Sequence, residues 1–104
     1  MIDRQLSARN PRVRQLAKLA TSRKARREQN LLVLDGPRSL STFIAAGGEV
    51  VSVFTDDLTR LGPIGLGSDS DRWEVDRREL DEISDAASPQ GVLAIGHCRT
   101  VSLV

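Results

Sequence analysis

Two short, continuous apolar runs constrain the fold of this 104-residue chain more than any other feature. They are Leu31-Leu32-Val33-Leu34, which ends at Asp35-Gly36-Pro37, and Val92-Leu93-Ala94-Ile95, which follows Gly91. A run of four to eight apolar residues between turn residues is typical of a strand that is buried on both faces. The sequence therefore predicts a central sheet covered by helices.

Helical patterns and further apolar segments alternate with these two runs. Asn10 and Pro11 suit the cap and the first residue of a helix. Its apolar positions recur at helical spacing and are Val13, Leu16, Ala17 and Ala20, with Leu19 at the margin. Thr21-Ser22 ends this helix, and the basic segment that follows is either a short helix or a loop.

The rest of the chain continues the alternation. We predict two further strands, over Val50–Phe54 and Trp73–Val75. We predict one helix marked by Leu40, Phe43 and Ile44 and another marked by Leu80, Ile83 and Ala87. Thr55 should cap a helical turn, and residues 62–71 should form a mobile loop. Strands that alternate with helices indicate an α/β fold, here a three-layer sandwich with a central mixed sheet.

Composition limits the compartment and the kind of site. The single cysteine, Cys98, can form neither an internal disulfide nor a cysteine-based metal cluster. No stretch approaches the ~20 apolar residues that a membrane span needs, and no signal-peptide pattern opens the chain. We therefore expect a cytoplasmic protein without membrane contact. Two Phe, one Trp and no Tyr provide no aromatic platform for stacking successive bases.

Charge is distributed very unevenly along the chain. Residues 1–29 contain nine basic and two acidic residues, a net charge of +7, whereas residues 30–104 contain six basic and twelve acidic residues, a net charge of −6. Such a basic arm attracts polyanions, and arginine binds phosphate with two parallel hydrogen bonds. A biased genome explains why arginine outnumbers lysine, but it does not explain the crowding of cations into one quarter of the chain.

No set of residues predicts catalysis or metal binding. His97 and Cys98 are adjacent, so on a strand they point to opposite faces and form no nucleophile–base pair. The glycines between Gly62 and Gly67 lack the lysine of a phosphate-binding loop. The acidic residues between Asp69 and Asp85 are typical of a solvated helix face.

Several segments together resemble a known family. They are Asn10-Pro11, Leu16 and Leu19, Arg26-Arg27-Glu28, Leu32-Val33-Leu34-Asp35-Gly36 with Arg38, and Ser88-Pro89-Gln90-Gly91-Val92-Leu93-Ala94. In order and spacing they resemble the N-terminal substrate-binding domain of the SpoU (TrmH) family, RNA ribose 2′-O-methyltransferases that use S-adenosylmethionine. The resemblance spans about residues 10–96 and is closest to ribosomal-RNA members, including the thiostrepton-resistance type. The family usually has Glu at the position of Asp35, a carboxylate one methylene longer.

The resemblance implies a division of labour between two domains. In the family, this domain has the α/β fold of the kink-turn-binding ribosomal proteins and delivers structured RNA to a C-terminal catalytic domain, which holds S-adenosylmethionine and the dimer interface. We accordingly expect an RNA-binding domain over 1–96 and a linker or edge strand over 97–104. Alone, the chain should be monomeric, bind no cofactor and catalyse nothing, whereas the parent enzyme would be a homodimer that uses S-adenosylmethionine.

The expected RNA-binding residues fall into two groups. Six cations would bind phosphates without reading sequence: Arg14, Lys18, Arg23, Lys24, Arg26 and Arg27. The second group lies on the turns Asp35–Arg38 and Ser88–Gly91, which should meet at one edge of the sheet. There Gly36 and Gly91 allow close approach or only shape the turns, Arg38 adds charge, and Gln90 offers an amide that can bind a base edge or a 2′-hydroxyl.

Two other functions fit the same sequence. One is a free-standing RNA-binding protein of the kink-turn type, which an adjacent S-adenosylmethionine domain would exclude. The other is a protein-interaction module whose basic arm docks an acidic partner, and co-purification of RNA would argue against it.

Overall fold

Strands and helices alternate along the chain, as the sequence predicts. The computed structural model describes residues 5–7, 9–67 and 70–98. Its elements are β1 (Gln5–Leu6), α1 (Pro11–Thr21), α2 (Arg23–Gln29), β2 (Leu31–Asp35), α3 (Pro37–Ala45), β3 (Val50–Thr55), a 3-10 helix (Leu58–Ile64), β4 (Asp71–Val75), α4 (Arg77–Ile83) and β5 (Val92–His97).

The five strands form one mixed sheet in the order β1-β4-β3-β5-β2. The central strand β3 pairs parallel with β4 and antiparallel with β5. β5 also pairs antiparallel with β2, so it has a neighbour on each side, and Val92 to Ile95 are buried as predicted. β2 is an edge strand, and its residues are only half-buried. The prediction that β2 is buried on both faces is therefore wrong, although the strand itself is confirmed.

Two apolar cores lie on opposite faces of the sheet. On one face, α1, α2 and α4 pack against Phe54, Leu93 and Ile95. On the other, Leu40 of α3 and Leu61 of the 3-10 helix pack with side chains such as Val53. Because successive side chains of a strand point to opposite faces of the sheet, Val53 and Phe54 pack into different cores. The predicted three-layer α/β sandwich is confirmed.

The basic segment after α1 is a helix, which resolves the choice that the sequence left open. Asn10 caps α1 by accepting a hydrogen bond from the Arg12 N–H (2.9 Å). Ser22 ends α1 and begins α2, because its N–H donates to the Lys18 carbonyl and its hydroxyl accepts from the Ala25 N–H. Leu19, expected at the margin, is fully buried.

Four boundaries differ from the expectations. Thr55 is a buried strand residue and caps no helix, whereas the 3-10 helix is capped by Asp57. The 62–71 loop is shorter than predicted, because Gly62 to Ile64 belong to this helix and Asp71 begins β4; residues 68 and 69 lie outside the described residues. α4 ends at Ile83, which leaves Ala87 exposed beyond it.

The end of β5 lies one residue beyond the domain boundary expected at 96. β5 continues to His97, and the Cys98 N–H donates to the Asn30 carbonyl (2.9 Å). The expected linker or edge strand falls mostly on 99–104, which lie outside the described residues, as do Arg4 and Asp3 of the basic arm.

Candidate nucleic-acid interface

The two turns singled out in the sequence meet at one edge of the sheet. β2 and β5 pair with Asp35 opposite Leu93, so the end of one strand lies beside the start of the other. The Gly36 N–H donates to the Val92 carbonyl (2.8 Å), and a Cβ built on Gly36 would lie 4.0 Å from the Gln90 side chain. The expectation that both turns share one edge is confirmed.

The N-terminus of α3 opens onto this edge. Gly36 precedes the helix with φ of +98°, a conformation that favours glycine, and Pro37 is the first helical residue. Gly36 has no side chain to cap the helix, so the N–H groups of Arg38 and Ser39 lack the usual side-chain acceptor. Arg38 is exposed beside them. A helix N-terminus next to a guanidinium is a suitable place for a phosphate group.

The Ser88–Gly91 turn presents Gln90 to solvent next to this helix terminus. The Gln90 side-chain Nε2 donates to the Ser88 carbonyl (3.1 Å), which orients the amide locally. Gly91 has φ of +74°, and its carbonyl accepts from the Asp56 N–H (3.2 Å). The turn is thus a defined loop that carries an exposed amide.

Asp35 has a structural partner at the same edge. Its carboxylate accepts from the Ser84 hydroxyl (2.7 and 2.9 Å) and from the Asp85 N–H (3.0 Å). These bonds hold the segment that follows α4 against the end of β2. The carboxylate of Asp35, although one methylene shorter than the Glu usual in the family, therefore braces this segment.

The predicted phosphate-binding cations do not form one equivalent set. Five of them are exposed on α1 and α2, namely Arg14, Lys18, Arg23, Lys24 and Arg27. Arg26 is half-buried, and its Nη1 donates to the carbonyl of Leu19 near the end of α1. The Arg26 side chain thus joins the two helices.

An open cleft separates the helical cations from the turns. It has a volume of about 330 Å³ and lies between α2, β2 and the end of α4. Arg26 lines one part of it and Asp35 and Asp85 another, with aliphatic side chains such as Leu32 and Ile83 on its walls. The structure therefore places the two turns at one edge of the sheet, whereas the exposed cations lie on α1 and α2.

Sequence reasoning missed three charged residues that contact the Ser88–Gly91 turn. Arg60 Nη1 donates to the Gln90 carbonyl (2.7 Å), and Arg77 Nη2 donates to the Pro89 carbonyl (2.8 Å). Asp56 lies 3.4 Å from Arg60 Nη1 and 3.5 Å from Arg77 Nη1. The hydrogen bond from Arg77 to Asp81 is the main reason that the pKa of Arg77 is raised. Asp56 and Arg60 lie four residues apart, as do Arg77 and Asp81, but this spacing does not indicate contact with a turn that is distant in sequence.

The described residues contain no cluster of side chains that could hold a metal ion. Within 5–7, 9–67 and 70–98, no three His, Cys, Asp or Glu side chains are placed to hold a metal ion. His97 Nε2 lies 3.2 Å from Glu49 Oε1, and Cys98 is exposed.

Comparison with known proteins identifies the family. The family model for the MRM3-like substrate-binding domain matches residues 10–94. The chain belongs to this family. The match covers the segments that resemble the SpoU (TrmH) substrate-binding domain, and that resemblance is confirmed. Among curated proteins, no sequence matches the chain.

Solved structures share the fold of this MRM3-like domain. An RNA 2′-O ribose methyltransferase superposes with a TM-score of 0.79 and 23% identity, over 96% of this chain and 40% of that one. An rRNA methyltransferase from Sinorhizobium meliloti gives a TM-score of 0.74 and 18% identity, over 91% and 37%. The SpoU methyltransferase AviRb from Streptomyces viridochromogenes, in complex with AdoMet, gives 0.71 and 20%, over 91% and 38%. The chain spans about two fifths of the length of these proteins.

The resemblance to thiostrepton-resistance members concerns a subgroup within the family and stays a prediction. No helix among the described residues is both long and apolar enough to cross a membrane.

Proposed function

We propose that this MRM3-like domain is the RNA-recognition part of an S-adenosylmethionine-dependent RNA ribose 2′-O-methyltransferase that acts on ribosomal RNA in the cytoplasm. The observation that supports it most directly is the meeting of two turns at one sheet edge. That edge combines a helix N-terminus, the exposed guanidinium of Arg38 and the exposed amide of Gln90. Phosphate, 2′-hydroxyl and base edges are the groups that such a surface can bind.

Binding would proceed in two parts with different physical origins. The exposed cations of α1 and α2 attract the phosphate backbone, which supplies affinity without sequence information. The turns then contact one structural feature of the RNA, where Gln90 donates to or accepts from a base edge or a 2′-hydroxyl. Specificity therefore depends on the turns, and most of the non-specific affinity depends on the helices.

The methyl transfer belongs to another part of the parent enzyme. We assign none of the described residues to S-adenosylmethionine, which the parent would bind in a catalytic domain outside this chain. The proposed roles of 1–96 as an RNA-binding domain and of 97–104 as the connection follow from the same division. In this proposal the isolated chain is a monomer without activity, and the parent is a homodimer through its catalytic domain.

Crosslinking to total RNA, followed by identification of the bound fragment, would supply the cognate RNA for a direct test. Gln90→Ala changes no charge, so we expect weaker binding to the cognate fragment, by about 1–3 kcal/mol, and nearly unchanged binding to a random duplex. Arg38→Ala should weaken cognate binding by a similar amount. Both side chains are exposed, so the free energy of unfolding should change by less than about 0.5 kcal/mol.

The measurement is a pair of RNA titrations for each variant at one fixed salt concentration. Wild-type affinity of Gln90→Ala for the cognate fragment would mean that this turn does not contact RNA. In that case the role of Gly91 is structural only.

A further inference from the structure

Three charged residues from different elements hold the Ser88–Gly91 turn by three successive carbonyls. Arg77, at the start of α4, donates from Nη2 to the Pro89 carbonyl (2.8 Å). Arg60, in the 3-10 helix, donates from Nη1 to the Gln90 carbonyl (2.7 Å). Asp56, directly after β3, donates from its backbone N–H to the Gly91 carbonyl (3.2 Å). We call Asp56, Arg60 and Arg77 the turn clamp.

The carboxylate of Asp56 connects the two guanidinium groups. Its Oδ1 lies 3.4 Å from Arg60 Nη1, and its Oδ2 lies 3.5 Å from Arg77 Nη1. Oδ1 is shielded from solvent and accepts no hydrogen bond from the described residues, so its interaction with Arg60 is electrostatic. Arg77 is fixed further by Asp81, which accepts from Nε (2.8 Å). Two arginines thus face two carboxylates, and the clamp with Asp81 has no net charge.

The turn approaches the clamp as closely as a glycine allows. A Cβ at position 91 would lie 2.8 Å from Asp56 Oδ1 and 3.0 Å from the Arg77 side chain. The positive φ of Gly91 also disfavours any other residue. Close contact with the turn clamp therefore explains why glycine occupies position 91.

We propose that Asp56, Arg60 and Arg77 are positioning residues for RNA recognition, which fix the Ser88–Gly91 turn beside the N-terminus of α3 and do not themselves bind phosphate. This inference rests on the proposed function, because the turn is positioned for RNA only if the domain binds RNA there. Its physical basis is preorganisation: a turn that is already ordered loses little conformational freedom when Gln90 meets its partner. The charge of both arginines is balanced within the protein, which leaves them little attraction for an external anion.

The test compares Arg77→Ala and Arg60→Ala with Arg78→Ala. Arg78 follows Arg77 on α4, is exposed and carries the same charge, so its removal controls for the change in net charge. Two quantities are measured for each variant. The first is amide hydrogen exchange across residues 88–93 of the free protein, and the second is affinity for the cognate fragment and for a random duplex between 50 and 200 mM salt.

We expect both clamp variants to exchange faster in the turn than wild type and Arg78→Ala, and to bind the cognate fragment about tenfold more weakly than Arg78→Ala. Their affinity for the random duplex should match that of Arg78→Ala. The dependence of log Kd on log salt should keep the wild-type slope, because no phosphate contact is lost. Asp56→Asn should likewise speed exchange in the turn, because it removes the carboxylate that lies between the two guanidinium groups. Should that variant fail to fold, Arg77→Lys, which keeps the charge but loses the planar fork, takes its place.

Two results would overturn the inference. Unchanged exchange in Arg60→Ala and Arg77→Ala would show that the clamp does not order the turn. A salt slope reduced by about 0.9 per arginine would show that these residues bind phosphate directly. If wild type binds no RNA, the proposed function fails, and hydrogen exchange still reports separately whether the clamp orders the turn.

Discussion

Gly91 and Gly47 show that residues of the same type and backbone conformation can serve different purposes. Both have positive φ, +74° and +86°. A Cβ on Gly91 would meet the side chains of Asp56 and Arg77, whereas a Cβ on Gly47 would meet nothing within 4 Å. Gly47 only ends α3 in a left-handed conformation, and Gly91 also provides room for the turn clamp.

The pair predicts two different losses of stability. Gly47→Ala should lower the free energy of unfolding by about 1 kcal/mol, the cost of the backbone conformation alone. Gly91→Ala should cost about 1–3 kcal/mol more, because the added methyl group overpacks the site. Urea denaturation of both variants measures the difference. Equal losses would mean that Asp56 and Arg77 move aside freely, and the close contact would then carry no constraint.

At the scale of elements, features that depend on residues adjacent in sequence were predictable. The order of the strands in the sheet was not. The start of α1 follows from Asn10-Pro11, because a cap depends on residues that are adjacent in sequence. The strands β2 and β5 follow from their apolar runs. The edge position of β2, and hence its partial burial, depends on the strand order, which no local pattern encodes. The two-residue strand β1 is too short to produce a pattern.

The candidate site divides in the same way. Gly36, Arg38, Gln90 and Gly91 belong to turns that flank recognisable strands, so their common edge was predictable once the strands were paired. The sequence does not reveal the turn clamp, because its members bond to a turn that is distant in sequence. Arg77 is 12 residues from Pro89, and Arg60 is 30 residues from Gln90. Arg26 was grouped with its exposed neighbours because charge patterns do not distinguish an exposed guanidinium from one that packs.

The junction of α1 and α2 allows a direct test of that distinction. Arg26→Ala removes the hydrogen bond to the Leu19 carbonyl and should lower the free energy of unfolding by about 1 kcal/mol. Arg27→Ala removes the same charge from an exposed position and should change it by less than about 0.5 kcal/mol. Thermal or urea unfolding of the two variants checks this. Identical stabilities would indicate that the Arg26 bond does not persist in solution.

At the scale of the whole molecule, the net charge of +1 conceals a strong polarity. The exposed cations of α1 and α2 form a basic surface, whereas residues 30–104 carry a net charge of −6. The arginines of the turn clamp are neutralised where they lie, so they add little to this basic surface. Long-range attraction of RNA should therefore depend on α1 and α2, while discrimination between RNAs depends on the sheet edge.

The salt dependence of RNA binding tests this central claim most directly. The decisive variant replaces Arg23, Lys24 and Arg27 by Glu and keeps Arg26, because Arg26 supports the helix junction. If about six phosphates are neutralised, wild-type affinity should fall about 10³-fold between 50 and 200 mM salt. The variant should lose most of its affinity for both the cognate fragment and a random duplex, with a smaller salt slope and an unchanged circular dichroism spectrum. Undiminished RNA binding by this variant, with the wild-type salt slope, would contradict the account.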